Sequence, residues 1–261
     1  MRRMKTFTVA LTLAAFAAVV RAEIKSQPIE YKQGDTVCEG WLVYDDASKD
    51  KRPGVLVAHQ WKGLIAYEKR RAEMLARLGY VVICADIYGK GVRVDNPQDA
   101  AKLATKYKDD RPLLRARVNA AFDQLKKQPL VDARRTAAIG YCFGGTTVLE
   151  LARSGADVAG IVSFHGGLNT PTPDDATRIK GKVLALHGAD DPYVPPTEVA
   201  AFEEEMRKAK IDWQLVGYGG AVHSFTMKEA GSDNSKGAAY NEKADQRSWE
   251  AMKVFFAEIF K

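Results

Sequence analysis

The feature that most constrains this chain is its rhythm after Pro53. Short, unbroken apolar runs alternate with stretches whose apolar residues recur at helical spacing. Residues 55–58, 81–85, 136–140, 158–164, 183–186 and 213–218 read as strands. A strand apolar at nearly every position is covered on both faces, which is the mark of a parallel sheet between helices. The intervening stretches supply those helices. Residues 67–78 bring Ala72, Leu75 and Ala76 toward one face, and Gly79 is placed to end the helix. Asp110-Arg111-Pro112 is a helix start, followed by Leu114, Val118, Ala121, Phe122 and Leu125 on one stripe. Further helices are expected over 143–153 and 196–209, the latter with Val199, Phe202, Met206 and Ala209 aligned, and a last one closes the chain near Phe260. The expected fold is α/β, a mainly parallel sheet with helices on both faces. Residues 24–44 precede it as two extended segments joined by a turn at Gln33-Gly34-Asp35. No Pro/Gly/Ser-rich linker interrupts the alternation, so residues 23–261 are expected to form a single domain.

Residues 1–22 are read separately. Arg2, Arg3 and Lys5 precede a charge-free apolar run over 6–20, and Val20-Arg21-Ala22 offers small residues at a cleavage position. Basic, apolar and small-residue regions in that order make a signal peptide. The run is too short for a membrane span, which needs about 20 apolar residues. The expectation is export to a periplasmic or secreted location, with no stable membrane association after cleavage. Residues 1–22 carry four cations and no acid, so their removal brings the formal charge from +6 to +2. With that small excess and no Lys/Arg stripe, nucleic acid is not an expected partner. Of the three cysteines, Cys38 and Cys84 could pair in an oxidising compartment. Cys84 lies in the apolar run 81–85, and the favoured reading is a buried small hydrophobe.

Gly140-Tyr141-Cys142-Phe143-Gly144-Gly145 lies where a strand gives way to a helix. That is the placement of a nucleophile elbow, G-x-S-x-G, with cysteine in place of serine. A cysteine there sits at a helix N-terminus, whose dipole favours the thiolate. The Phe143 N–H is free at that terminus to donate to an oxyanion. Asp190 and Asp191 follow at the end of a later strand, and His223 follows the last one. Nucleophile, acid, base is the chain order of α/β-hydrolases, and each group falls in a loop after a different strand. His59, His165 and His187 also lie near strand ends, where their expected role is to hold loops by hydrogen bonding. There is no Cys-x-x-Cys motif for thiol redox chemistry.

The elbow, the run from Gly188 to Val194 and His223-Ser224-Phe225 together resemble the dienelactone hydrolase family of α/β-hydrolases. The resemblance extends over nearly all of residues 31–260. It includes His59-Gln60-Trp61-Lys62-Gly63-Leu64 and Ala85-Asp86-Ile87-Tyr88-Gly89. It implies a cofactor-free hydrolase of lactones or related esters with a Cys142, Asp191, His223 triad. Asp191 is selected over Asp190 through the shared Asp-Pro-Tyr-Val run, and Trp61 N–H becomes the second oxyanion donor. The expected partner is a small-molecule ester or lactone, and the expected state a monomer.

This chain departs from the family pattern at three substrate-facing positions. Gln60 stands where a glutamate helps deprotonate the thiol, and an amide cannot take that proton. Lys90 and Met227 stand where two arginines hold a substrate carboxylate. Lysine lacks the bidentate fork and methionine has no charge. An anionic dienelactone is therefore a less fitting substrate than a broader ester or lactone. The same departures motivate an alternative, a non-catalytic ligand-binding protein on a hydrolase scaffold.

Overall fold

The computed structural model describes residues 23–261, so the expected signal peptide lies outside the described residues. Eight strands form one sheet in the order β1-β2-β4-β3-β5-β6-β7-β8. The hairpin β1 (Ile24–Gln33) and β2 (Thr36–Asp45) turns at Gly34, whose φ of +54° suits glycine. It pairs antiparallel onto β4 (Val81–Ala85) at one edge. From there β3 (Arg52–Ala58), β5 (Val131–Tyr141), β6 (Gly160–Phe164), β7 (Lys182–Gly188) and β8 (Trp213–Tyr218) are parallel.

The alternation of side chains along each strand builds two cores. On β3, Leu56 and Ala58 face one core while Val55 and Val57 face the other, which is why that run is apolar throughout. Helices α1 (Ala66–Arg77) and α6 (Glu242–Ile259) cover one face. The other carries α2 (Pro97–Asp109), α3 (Arg111–Lys126), α4 (Phe143–Arg153) and α5 (Pro196–Ala209). The mainly parallel sheet with helices on both faces is as expected.

Two elements differ from expectation. Helix α2 was not foreseen, because its buried stripe is Ala100, Ala104 and Tyr107, two of them alanines with little hydrophobic signal. Its start is nonetheless conventional, with Asn96 Oδ1 capping the N–H groups of Gln98 and Asp99. Strand β5 begins five residues before the expected Thr136, with a register shift against β3 where Pro53 meets Asp132 but Gly54 meets Thr136. Cys38 and Cys84 are both buried and unpaired, as favoured. They face opposite cores of the same sheet, which keeps them apart. Among the described residues no helix is long and apolar enough to cross a membrane.

Candidate active site

Parallel strands deliver their following loops to one end of the sheet, and ligand sites form there. Cys142 connects β5 to α4 at a φ of +55°, a conformation costly for any side-chain-bearing residue. Glycines around it allow the turn to press onto its neighbours. A Cβ on Gly140 would lie 1.9 Å from the Gly144 carbonyl oxygen, and one on Gly144 would lie 2.2 Å from that of Ala58. A Cβ on Gly145 would meet Ser163 Oγ at 2.5 Å. The elbow is thereby wedged between the ends of β3 and β6.

His223 follows β8 and joins the other two groups. Its Nε2 lies 3.0 Å from Cys142 Sγ, and its Nδ1 lies 2.8 Å from Asp191 Oδ2. The remaining Asp191 oxygen accepts from Tyr193 N–H at 2.8 Å. Backbone bonds fix the His223 loop on both sides, from His223 N–H to Gly237 O and from Ala239 N–H to His223 O. Asp190 instead accepts from Gly220 N–H at an exposed position.

Burial alone would raise the Cys142 thiol. The facing His223 charge and hydrogen bond, with the Phe143 N–H and the Lys108 charge, outweigh it and hold the thiol below its ordinary value. Burial also opposes charge on His223. The Cys142 thiolate and the Asp191 carboxylate overcome it and push the imidazole up to about 10. Both shifts move toward a thiolate–imidazolium pair, in which Nδ1–H donates to Asp191 and Nε2–H donates to the sulfur.

His165 and His59 hold structure by hydrogen bonding, whereas no such bond is seen for His187 among the described residues. His165 Nδ1 accepts from Cys142 N–H at 3.1 Å, so its proton is on Nε2, which donates to Thr226 Oγ1 at 2.8 Å. Burial, then the charges of His223 and Arg71, hold it well below the usual histidine range. Thr226 shares a hydrogen bond with Tyr67 OH at 2.6 Å. Arg71 donates to that hydroxyl and to Asp245 Oδ1. The elbow is thus tied through His165 to the His223 loop, α1 and α6. His187 is buried and held low by that burial, and its Nδ1 has no partner among the described residues.

Residues 59–65 close the site beside the elbow, where the His59 and Phe143 rings stack with centroids 5.8 Å apart. Trp61 is half-buried in this loop, and its carbonyl accepts from Tyr88 OH at 3.0 Å. Gln60 is buried, and its Nε2 donates to Met227 Sδ at 3.5 Å, so these two substituted positions contact each other. Lys90 lies at an exposed position. Its ammonium pairs with Glu30 and lies 3.7 Å from Glu39, both on the β1–β2 hairpin. Two carboxylates thus lie beside it. Glu68, Thr226, Tyr67 and Arg71 were not anticipated. Glu68 occupies the third position of α1, where a capping-box glutamate is expected, but Ile65 in place of Ser or Thr hides that motif.

The dienelactone hydrolase family model matches residues 39–260. Among solved structures, one named m3DLH is 44% identical, covering 91% of this chain and 99% of its own, with a TM-score of 0.88. A dienelactone hydrolase-like promiscuous phosphotriesterase, P91, from metagenomic libraries is 42% identical over 91% of this chain and 99% of its own, with a TM-score of 0.86. The protein usf of Aquifex pyrophilus is 28% identical over 89% of this chain and 98% of its own.

Proposed function

This chain belongs to the dienelactone hydrolase family, and on that footing we propose that it hydrolyses carboxylic esters or lactones with Cys142 as nucleophile. The observation that carries this reading is the continuous contact from Asp191 through His223 to Cys142, 2.8 Å and 3.0 Å long. The thiolate attacks the acyl carbon and forms a tetrahedral oxyanion held by the N–H groups of Phe143 and Trp61. Collapse expels the leaving oxygen, which takes the Nε2 proton of His223 and leaves a thioester on Cys142. His223, now neutral, takes a proton from water, whose hydroxide adds to the thioester. The acid leaves and the thiolate is restored. Asp191 orients the imidazole and stabilises its charged form throughout.

The substrate follows from what surrounds this chemistry. A thiolate is itself a good leaving group, so the intermediate partitions forward only when the departing oxygen is also stabilised. Enol and phenol esters fit better than alkyl esters. With Lys90 paired to Glu30 and Glu39, and Met227 uncharged, neither position selects a substrate carboxylate. Thiolate attack at phosphorus is the analogous reaction for a phosphotriester, the class named for P91.

The protein acts after export, as a monomer, starting near Glu23. All three proposed catalytic groups come from one chain. Its hydrogen-bonded triad weighs against the alternative of a non-catalytic binding protein, which has no need of a charged pair at the elbow. The test is turnover of p-nitrophenyl acetate with mass analysis of the enzyme. Wild type should carry an acetyl group on Cys142, and Cys142→Ala should hydrolyse the ester no faster than buffer. Full activity in that variant refutes the assignment.

A further inference from the structure

Two buried side chains hold the backbone on either side of Gln60, just before Trp61, and the proposed reaction does not use either of them directly. Glu68 has no solvent exposure and is reached by two backbone donors. Its Oε1 accepts from Gln60 N–H and its Oε2 from Ile65 N–H, both at 3.1 Å. One carboxylate therefore spans the whole turn that carries Trp61. His59 is also fully buried. Its Nε2 accepts from Ile87 N–H at 3.2 Å, which leaves the proton on Nδ1, and Nδ1 donates to the Gln60 carbonyl at 2.6 Å.

The geometry points to a clamp in which Glu68 and His59 are positioning residues that fix the Trp61 N–H for the developing oxyanion. This rests on the acyl-transfer reading above. The peptide group is planar, so fixing the Gln60 carbonyl also fixes the Trp61 N–H on its opposite edge. A donor on that carbonyl polarises the amide and strengthens its N–H as a donor. Glu68 secures the preceding N–H, so the peptide units on both sides of Gln60 are held. An oxyanion donor is effective when its direction is set before the charge develops. Capping α1 alone would not require a buried carboxylate, since a surface glutamate at the same helix position serves that purpose. Burial instead pushes Glu68 up to about 7, a cost that the N–H groups of Gln60 and Ile65 partly offset.

The test compares two reactions of Cys142 in the full protein. Acetylation by p-nitrophenyl acetate passes through an oxyanion, whereas alkylation by iodoacetamide is a displacement at carbon that forms none. Glu68→Ala and His59→Ala should acetylate at least about tenfold more slowly, within the loss typical of a disturbed oxyanion donor. Their alkylation should stay near the wild-type rate. His59→Asn keeps a donor for the Gln60 carbonyl and should recover much of the lost acetylation. Should the alanine variants not fold, Glu68→Gln retains the volume but only one acceptor oxygen, and should show the same selective loss. Wild-type acetylation rates in the variants, or acetylation and alkylation falling together, overturn the clamp. Absence of any acetyl on wild-type Cys142 would instead overturn the underlying acyl-transfer reading, and the clamp with it.

Discussion

At Cys142 and His223 each charge is the other's main support. Burial opposes both charges; the imidazolium is the largest influence lowering the thiol, and the thiolate, with Asp191 beside it, the largest raising the imidazole. This gives a pH dependence with a definite sign. The Cys142 pKa is lowered, so its thiolate persists below the ordinary thiol range and is lost only as pH falls through the depressed value. His223 is raised to about 10, so its proton for the leaving group is retained until pH passes that value. Ester hydrolysis should therefore hold a plateau from the depressed thiol value up to about 10 and fall on both sides. In His223→Ala the burial of the thiol is no longer opposed by the imidazolium, and iodoacetamide labelling at pH 7 should slow by about tenfold or more. Labelling at the wild-type rate would mean that another group ionises the thiol. These residues were legible in the sequence because the elbow and the order of acid and base are local or ordinal patterns. Glu68 and His59 were not, because their roles depend on burial and on which backbone groups a turn brings near. The pairing of Lys90 was hidden for a similar reason. The hairpin carboxylates that hold it, Glu30 and Glu39, lie far from it in sequence.

The elbow is a problem of elements rather than of side chains, because α4 must start where three strand ends crowd together. Gly144→Ala places a methyl group 2.2 Å from the Ala58 carbonyl oxygen, and backbone must move to admit it. The expected cost is about 1–3 kcal/mol, read as a lower urea midpoint, together with a loss of ester hydrolysis. Unchanged stability would mean that the β3 and α4 ends are not in contact. Helix α4 is also pinned at its far end. Arg153, fully buried, donates to both Glu205 oxygens at 2.8 and 2.7 Å and to Glu150 at 3.1 Å. Arg153→Ala strands the buried Glu205 carboxylate, while Glu150 keeps Arg115 at 2.7 Å, and should cost about 3–5 kcal/mol by chemical denaturation. The paired change Arg153→Met with Glu205→Leu should recover part of that loss; a single variant within error of wild type would refute this ion-pair role. The elements themselves were readable wherever branched or aromatic residues marked the stripe, as in α3 and α5. Helix α2 was not, since alanines bury without standing out. The early start of β5 was also hidden, because Asp132, Arg134 and Arg135 interrupt its apolar pattern at the bulge.

The whole molecule combines a proposed exported location with thiols that have no partner. The alternation of strands and helices announced the two-faced sheet, but it carried no information on which face each cysteine meets. That distinction decides the redox chemistry. Cys38 is packed in the core under α2 and α3, whereas Cys84 lies in the core under α1, with the sheet between them. Cys142 faces His223. No pair can form without remaking strands that share a continuous hydrogen-bonded register. An exported protein of this fold should therefore remain free of intramolecular disulfides even where oxidation is favoured. Protein recovered from the exported fraction should begin at Glu23, titrate three thiols once denatured, and show the same Tm with or without dithiothreitol. A chain that begins at Glu23 but yields one thiol, with a Tm that drops on reduction, would show that two of the three cysteines had paired. The sheet would then have to differ from the one described, since stability drawn from a disulfide requires the two sulfurs to share a face. An intact Tm alongside the wrong N-terminus would instead leave the fold in place and remove the export proposal alone.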